Sequence, residues 1–103
     1  MRPRQPVWSS AARTDLFDDY TFIAQDNPQA ADRFVLDLYR KVESFATAGL
    51  TGIDRNQFGS GIRSLSYRDR IIFFTISDTE LTVLRLVHGH QDISPDLFKT
   101  DET

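Results

Sequence analysis

The period of the apolar residues changes once along this chain. A helical repeat runs up to about residue 49 and an alternating repeat follows from about residue 62, which restricts the fold to helices packed on a sheet. Ala12, Leu16, Tyr20 and Ile23 recur at steps of four and three, placing them on one face of an amphipathic helix that begins at Ser10 and ends near Gln25. Ser9 or Ser10 supplies the capping oxygen, and Asp15, Asp18 and Asp19 read as a solvated face. Asn27-Pro28 resets the chain, because the proline is preorganised for a first helical turn and the asparagine can cap it. A second helix follows with Ala31, Phe34, Leu38, Val42 and Phe45 in its stripe, widened by Val35 and ended by Ala48-Gly49. Helices joined by a turn of about two or three residues lie antiparallel and present their stripes to a common neighbour.

That neighbour is the sheet. Ile62 to Tyr67 reads as a strand, Arg70 to Ile76 as a second that is apolar on both faces and therefore central, and Leu81 to His88 as a third. Arg68-Asp69 and Ser77 to Glu80 are turn-sized gaps, so the three strands form an antiparallel meander. Val7-Trp8 adds a short edge strand before the first helix. Residues 49 to 61, with Gly49, Gly52, Gly59 and Gly61, read as a connecting loop, and Ser94 to Phe98 as a single closing turn. The expected class is α+β, an N-terminal two-helix hairpin packed on a three- to four-stranded, mostly antiparallel sheet. At 103 residues this is one domain, frayed at residues 1–5 and 99–103.

Composition narrows the function. With no cysteine the chain has no disulfide framework or thiolate zinc site, which fits a reducing cytoplasm. Its basic start is followed by no apolar run, so it is not a signal peptide, and no stretch approaches the ~20 apolar residues of a membrane span. A net charge of -3 argues against broad nucleic-acid binding, leaving only a local basic patch for such work.

The strand region supplies that patch. Arg63, Arg68, Arg70 and Arg85 stand there against only Asp69, Asp78 and Glu80. In a regular register Leu84 and Leu86 point inward, so Arg63 and Arg85 project from the face away from the helices and form a small groove for a phosphate or an acidic protein surface. Arg68 and Arg70 serve equally well as partners of nearby aspartates. His88, His90 and Asp92 occupy alternate positions at the end of the third strand. No fourth ligand accompanies them, so no metal is expected, and general acid-base work by His88 is the better chemical reading. The aromatic residues outnumber what one small core covers, which leaves an apolar groove between the hairpin and the sheet edge. Leu16, Phe17, Tyr20, Phe34 and Leu38 are its candidate lining, and Phe17, offset from the helical stripe, is the clearest of them.

Several segments occur here in a characteristic order. They are Trp8-Ser9, Ala11-Ala12-Arg13 with Asp15-Leu16, Tyr20 with Ile23-Ala24, Asn27-Pro28 with Ala30-Ala31, Gly61-Ile62-Arg63-Ser64-Leu65, Ile71-Ile72-Phe73-Phe74, and Leu84 with Leu86-Val87-His88-Gly89. Together they resemble the ParE-type toxins of the RelE/ParE toxin–antitoxin superfamily over nearly the whole chain. The resemblance implies the toxin of a type II pair, a cytoplasmic binding inhibitor of DNA gyrase that blocks replication and uses no cofactor. It further implies neutralisation by a ParD-like antitoxin, partly disordered when free, through which alone operator DNA is reached. On that reading Arg63, Arg85, His88, His90 and Asp92 engage the target, and the apolar groove engages the antitoxin. One alternative is a RelE-like ribosome-dependent mRNA endoribonuclease using Arg63, Arg85 and His88. Against it, the chain has only Lys41 and Lys99 as lysines and no tyrosine after Tyr67, where the RelE-like nucleases commonly use a basic helix and a late tyrosine. A second alternative is an inactive family member that acts only as co-repressor with its antitoxin.

Overall fold

The computed structural model describes residues 2–89 and 91–99. Strand β1 (Gln5–Trp8) leads into helices α1 (Ser10–Asp26) and α2 (Pro28–Thr47), then β2 (Ile53–Asp54), β3 (Arg63–Tyr67), β4 (Arg70–Ile76) and β5 (Glu80–His88). Single 3-10 turns lie at Asn56–Phe58 and Pro95–Phe98. The five strands form one sheet in the order β1-β5-β4-β3-β2, with β1 parallel to β5 and the other pairs antiparallel. The expected α+β class, the meander and the Val7-Trp8 edge strand are all present. The sheet is wider than expected because the connecting loop contributes β2, a strand of two residues. Among the described residues no helix is long and apolar enough to cross a membrane.

Local chemistry sets the helix ends. Ser9, not Ser10, is the N-cap of α1, its hydroxyl accepting from the Ala12 N–H at 3.0 Å. Asn27 alone separates the helices: its N–H closes α1 on the Ile23 carbonyl at 3.0 Å, and its side chain caps α2 through the Ala30 N–H at 3.1 Å. Helix α2 ends in a Schellman motif, with Gly49 at φ 72, the Gly49 N–H bound to the Ala46 carbonyl and the Leu50 N–H bound to Phe45. Gly52, at φ 69, is required by space as well, since a Cβ there would meet the Ser64 carbonyl and stand 2.9 Å from the Phe74 ring. Residues at the expected frayed start are tied down: the Arg4 N–H bonds the Ala46 carbonyl at 2.8 Å, and the Arg4 Nε bonds the Ser77 carbonyl at 2.7 Å. Of the expected frayed end, residues 100–103 lie outside the described residues.

The sheet is apolar on both faces. Ala12, Leu16, Phe34, Leu38, Val42 and Ala46 of the helices pack on Leu65, Ile72, Phe74, Leu81, Val83 and Leu86. On the far face Ile62, Phe73 and Val87 are buried beneath Phe58, Leu97 and Phe98, with the Phe73 and Phe98 rings 5.0 Å apart. The chain after β5 therefore works as a strap over the second face. Strand β5 carries a bulge: Phe73 pairs with Arg85 but Phe74 pairs with Val83, leaving Leu84 without a partner. The extra residue turns Leu84 to the far-face cluster, which corrects its expected inward position, while Leu86 stays in the helix-side core.

Candidate functional site

The edge of β5 beyond β1 is completed by side chains of α1. Strand β1 stops at Trp8, and the Ser9 N–H bonds the Val83 carbonyl at 3.0 Å. From there the Ser9 hydroxyl donates to the Leu84 carbonyl at 3.0 Å and the Asp15 carboxylate accepts from the Leu86 N–H at 2.9 Å. The same carboxylate takes a two-pronged bond from Arg85, Nε to Oδ2 at 2.7 Å and Nη2 to Oδ1 at 2.9 Å. A further Arg85 nitrogen, Nη1, bonds the Leu97 carbonyl at 2.9 Å, so one guanidinium joins α1, β5 and the strap. The Asp15 hydrogen bonds raise the Arg85 pKa above its ordinary value; partial burial opposes the rise and the Asp15 charge reinforces it.

One helical turn further on, Asp19 accepts from Arg70 Nε at 3.0 Å and lies 3.9 Å from His88 Nε2. Arg70 is only 7% exposed, its guanidinium 4.9 Å from the centre of the Phe34 ring and its Nη1 bound to Asp69. Burial pushes the Asp69 carboxyl upward, but the Arg70 charge and hydrogen bond, a backbone hydrogen bond and the nearby His88 outweigh it and hold the group below its ordinary value. Asp15 and Asp19 are thus anchors of α1 on the sheet and not the solvated face expected, whereas Asp18 is exposed. Spacing could not reveal this, because the partners lie 51 and 70 residues away.

The expected basic groove of Arg63 and Arg85 is not assembled. Arg63 pairs with Phe74 in the β3–β4 register, so it shares the helix-side face with Phe74 and Leu65, opposite to its expected side. Its guanidinium bonds the Thr51 and Gly52 carbonyls and ties down the loop before β2. Arg85 begins opposite Phe73 of the far face but is held by Asp15 and Leu97. Arg68 pairs with Asp37 at 3.3 Å. His88 ends β5 with its side chain 43% exposed and Asp92 is exposed beyond it, while His90 lies outside the described residues. Among the described residues no three histidine, aspartate or glutamate side chains come together to hold a metal ion.

A second site lies on the helical hairpin. Phe17, Leu36 and Tyr39 are 67%, 52% and 43% exposed. A hollow of about 330 Å³ between α1 and α2 is lined by Arg13, Leu16, Phe17, Tyr20, Val35 and Tyr39. It continues into a hollow of about 260 Å³ at the β1 edge, lined by Pro6, Trp8, Leu36, Tyr39, Arg40 and Glu43, where the Trp8 and Tyr39 rings lie edge to face 5.1 Å apart. Tyr20 donates to Asp32 at 2.8 Å, and that bond, with the Asp32 charge and a little desolvation, raises the phenol pKa. Of the lining expected from sequence, Phe17 and Tyr20 stand at the surface and Leu16 forms the floor. Phe34 and Leu38 are buried in the core beneath it, a correction that follows from their place in the stripe facing the sheet. Leu36 and Tyr39 were missed, although Asp32, Leu36, Tyr39 and Glu43 recur at helical spacing and mark a second face of α2.

Fold and site define a small two-layer α+β protein with an apolar groove open on its helical side. Residues 7–93 match the family described as the ParE toxin of type II toxin-antitoxin system, parDE. The chain belongs to the ParE toxin family and is the toxin component of a type II toxin–antitoxin system. No curated protein sequence matches it. Among solved structures it is similar to a chain of the chromosomal ParDE TA system from P. aeruginosa. That chain is 22% identical, with a TM-score of 0.66 over 82% of this chain and 95% of the other, a likeness of fold.

Proposed function

We propose that this toxin arrests growth by binding DNA gyrase in the cytoplasm and blocking replication, and that a ParD-like antitoxin neutralises it by covering the groove on the hairpin. The observation that carries the antitoxin half is the exposed run of Phe17, Leu36 and Tyr39 beside family membership, because a small protein seldom leaves such large side chains uncovered on one continuous face. The gyrase half rests on the family. In this reading the target-binding residues are His88, His90 and Asp92, of which His88 and Asp92 are accessible at and beyond the end of β5 and His90 lies outside the described residues. Arg85 takes part from behind by holding the strap, while Arg63 holds the loop before β2, away from the end of β5. Operator DNA is reached only through the antitoxin.

Inducing the chain without its antitoxin, and following thymidine and amino-acid incorporation over the first minutes, tests the proposal. DNA synthesis is expected to fall first. An earlier fall in protein synthesis would replace gyrase inhibition with ribonuclease action, and no fall in either would leave a co-repressor without a target.

A further inference from the structure

We propose that Arg70 is a positioning residue for target binding, fixing the His88–Gly89 corner at the end of β5 by joining it to α1 and to the turn before β4; this rests on the target reading above. Arg70 opens β4 and stands opposite His88, the last residue of β5, in the sheet register. Its two carboxylate partners both reach the same corner. Asp19 of α1 takes Arg70 Nε on Oδ2 at 3.0 Å, and its Oδ1 lies 3.9 Å from His88 Nε2. Asp69 of the turn takes Arg70 Nη1 on its carboxylate, and its carbonyl accepts from the Gly89 N–H at 2.8 Å. One guanidinium therefore ties the hairpin layer, the β3–β4 turn and the end of β5 to a common point.

Stability alone does not explain the choice of an arginine here. The side chains of Arg70 and Asp19 are only 8% and 17% exposed, and withdrawing two charges from water offsets much of their mutual attraction. An unbranched apolar side chain would rest on the Phe34 ring, over which the guanidinium now lies at 4.9 Å, without that desolvation. It would not fix direction, whereas the planar guanidinium fork bonds its carboxylates at defined angles. The Arg85–Asp15 pair does not duplicate this, because Arg85 reaches on to the Leu97 carbonyl of the strap. Arg70 is too buried to meet a target itself. It acts through His88 and Gly89, whose placement decides where the exposed side chains at and beyond the end of β5 are presented.

The test compares the double variant Arg70→Met with Asp19→Asn, which removes both buried charges together, with the unaltered chain and with Asn27→Ala, which lowers stability away from the corner. Urea unfolding, hydrogen exchange at the Gly89 and Ile72 amides, gyrase affinity by calorimetry and growth arrest on induction are read for each. In the double variant the urea midpoint is expected to stay near that of the unaltered chain. Gly89 is expected to exchange on the order of tenfold faster while Ile72, in the buried centre of β4, keeps its protection. Gyrase affinity is expected to fall on the order of tenfold. Asn27→Ala is expected to lower the urea midpoint and to leave affinity unchanged. Arg70→Lys, which keeps the charge and loses the fork, is expected to show the same losses in smaller measure, and it decides the matter if the double variant does not fold. Affinity that falls only in step with the urea midpoint, in all variants alike, would make Arg70 a structural residue and overturn the proposal. Unchanged affinity would overturn it too, whether or not Gly89 exchange quickens. If the unaltered chain arrests growth without binding gyrase, the gyrase reading fails; loss of arrest in the double variant then still supports the role of Arg70, and full arrest overturns it. Neither arrest nor gyrase binding by the unaltered chain would remove the target reading and this proposal with it.

Discussion

Asp15 shows how much one side chain can hold when its partners come from distant parts of the chain. It satisfies Arg85 twice and the Leu86 N–H once, and through Arg85 it reaches the Leu97 carbonyl of the strap. Removing the carboxylate strands a guanidinium that is mostly sheltered and a backbone N–H at the strand edge, so Asp15→Ala is expected to cost about 3 kcal/mol. Asp18→Ala, one turn from the same row but exposed, is expected to stay within about 0.5 kcal/mol. Urea unfolding of the two variants checks this; equal losses would mean that the partners of Asp15 add nothing. That these aspartates lie on one helix was legible in the sequence, and the solvated face expected of them holds for Asp18 but not for Asp15. Their role was not legible, because spacing along α1 gives a shared face and says nothing of which distant arginines that face meets.

At the scale of elements, Asn27 does the work of two caps. It ends α1 with its backbone and begins α2 with its side chain, which brings the two helices together with one residue between them. Asn27→Ala is expected to cost about 1 kcal/mol, with Asn27→Asp recovering most of it, as thermal melts would show. No recovery by Asp would mean that the turn, and not the cap, is what Asn27 supplies. The helices were readable because caps and apolar periods are local, and the Asn27-Pro28 signal needs no tertiary partner. The β5 bulge was not readable, since alternation across Leu84-Arg85-Leu86 looks regular until β4 fixes the register on both sides of it. That one extra residue moved Leu84 to the far face, whereas the expected arginine groove was lost because the β3–β4 register puts Arg63 on the helix side and Asp15 holds Arg85.

For the whole molecule, the consequence of a sheet apolar on both faces is that the strap after β5 belongs to the core. Phe73 is as buried as Phe74 but faces the other way, under Phe58 and Phe98. Phe73→Ala is expected to destabilise by about 3–5 kcal/mol, as much as Phe74→Ala beneath the helices, by the same transfer and cavity cost. Chemical denaturation of both variants decides it, and a much smaller loss at Phe73 would mean that the far face is only loosely covered. By itself the sequence determined the two helices, the meander, the edge strand at Trp8 and the family to which they belong, because period, caps and turn residues act within a few positions. Only the tertiary structure decided where the charges went and which apolar residues stayed outside. Arg63, Arg70 and Arg85 were committed by partners 11 to 70 residues away, and Phe17, Leu36 and Tyr39 were left exposed because the sheet claimed the other side of the hairpin.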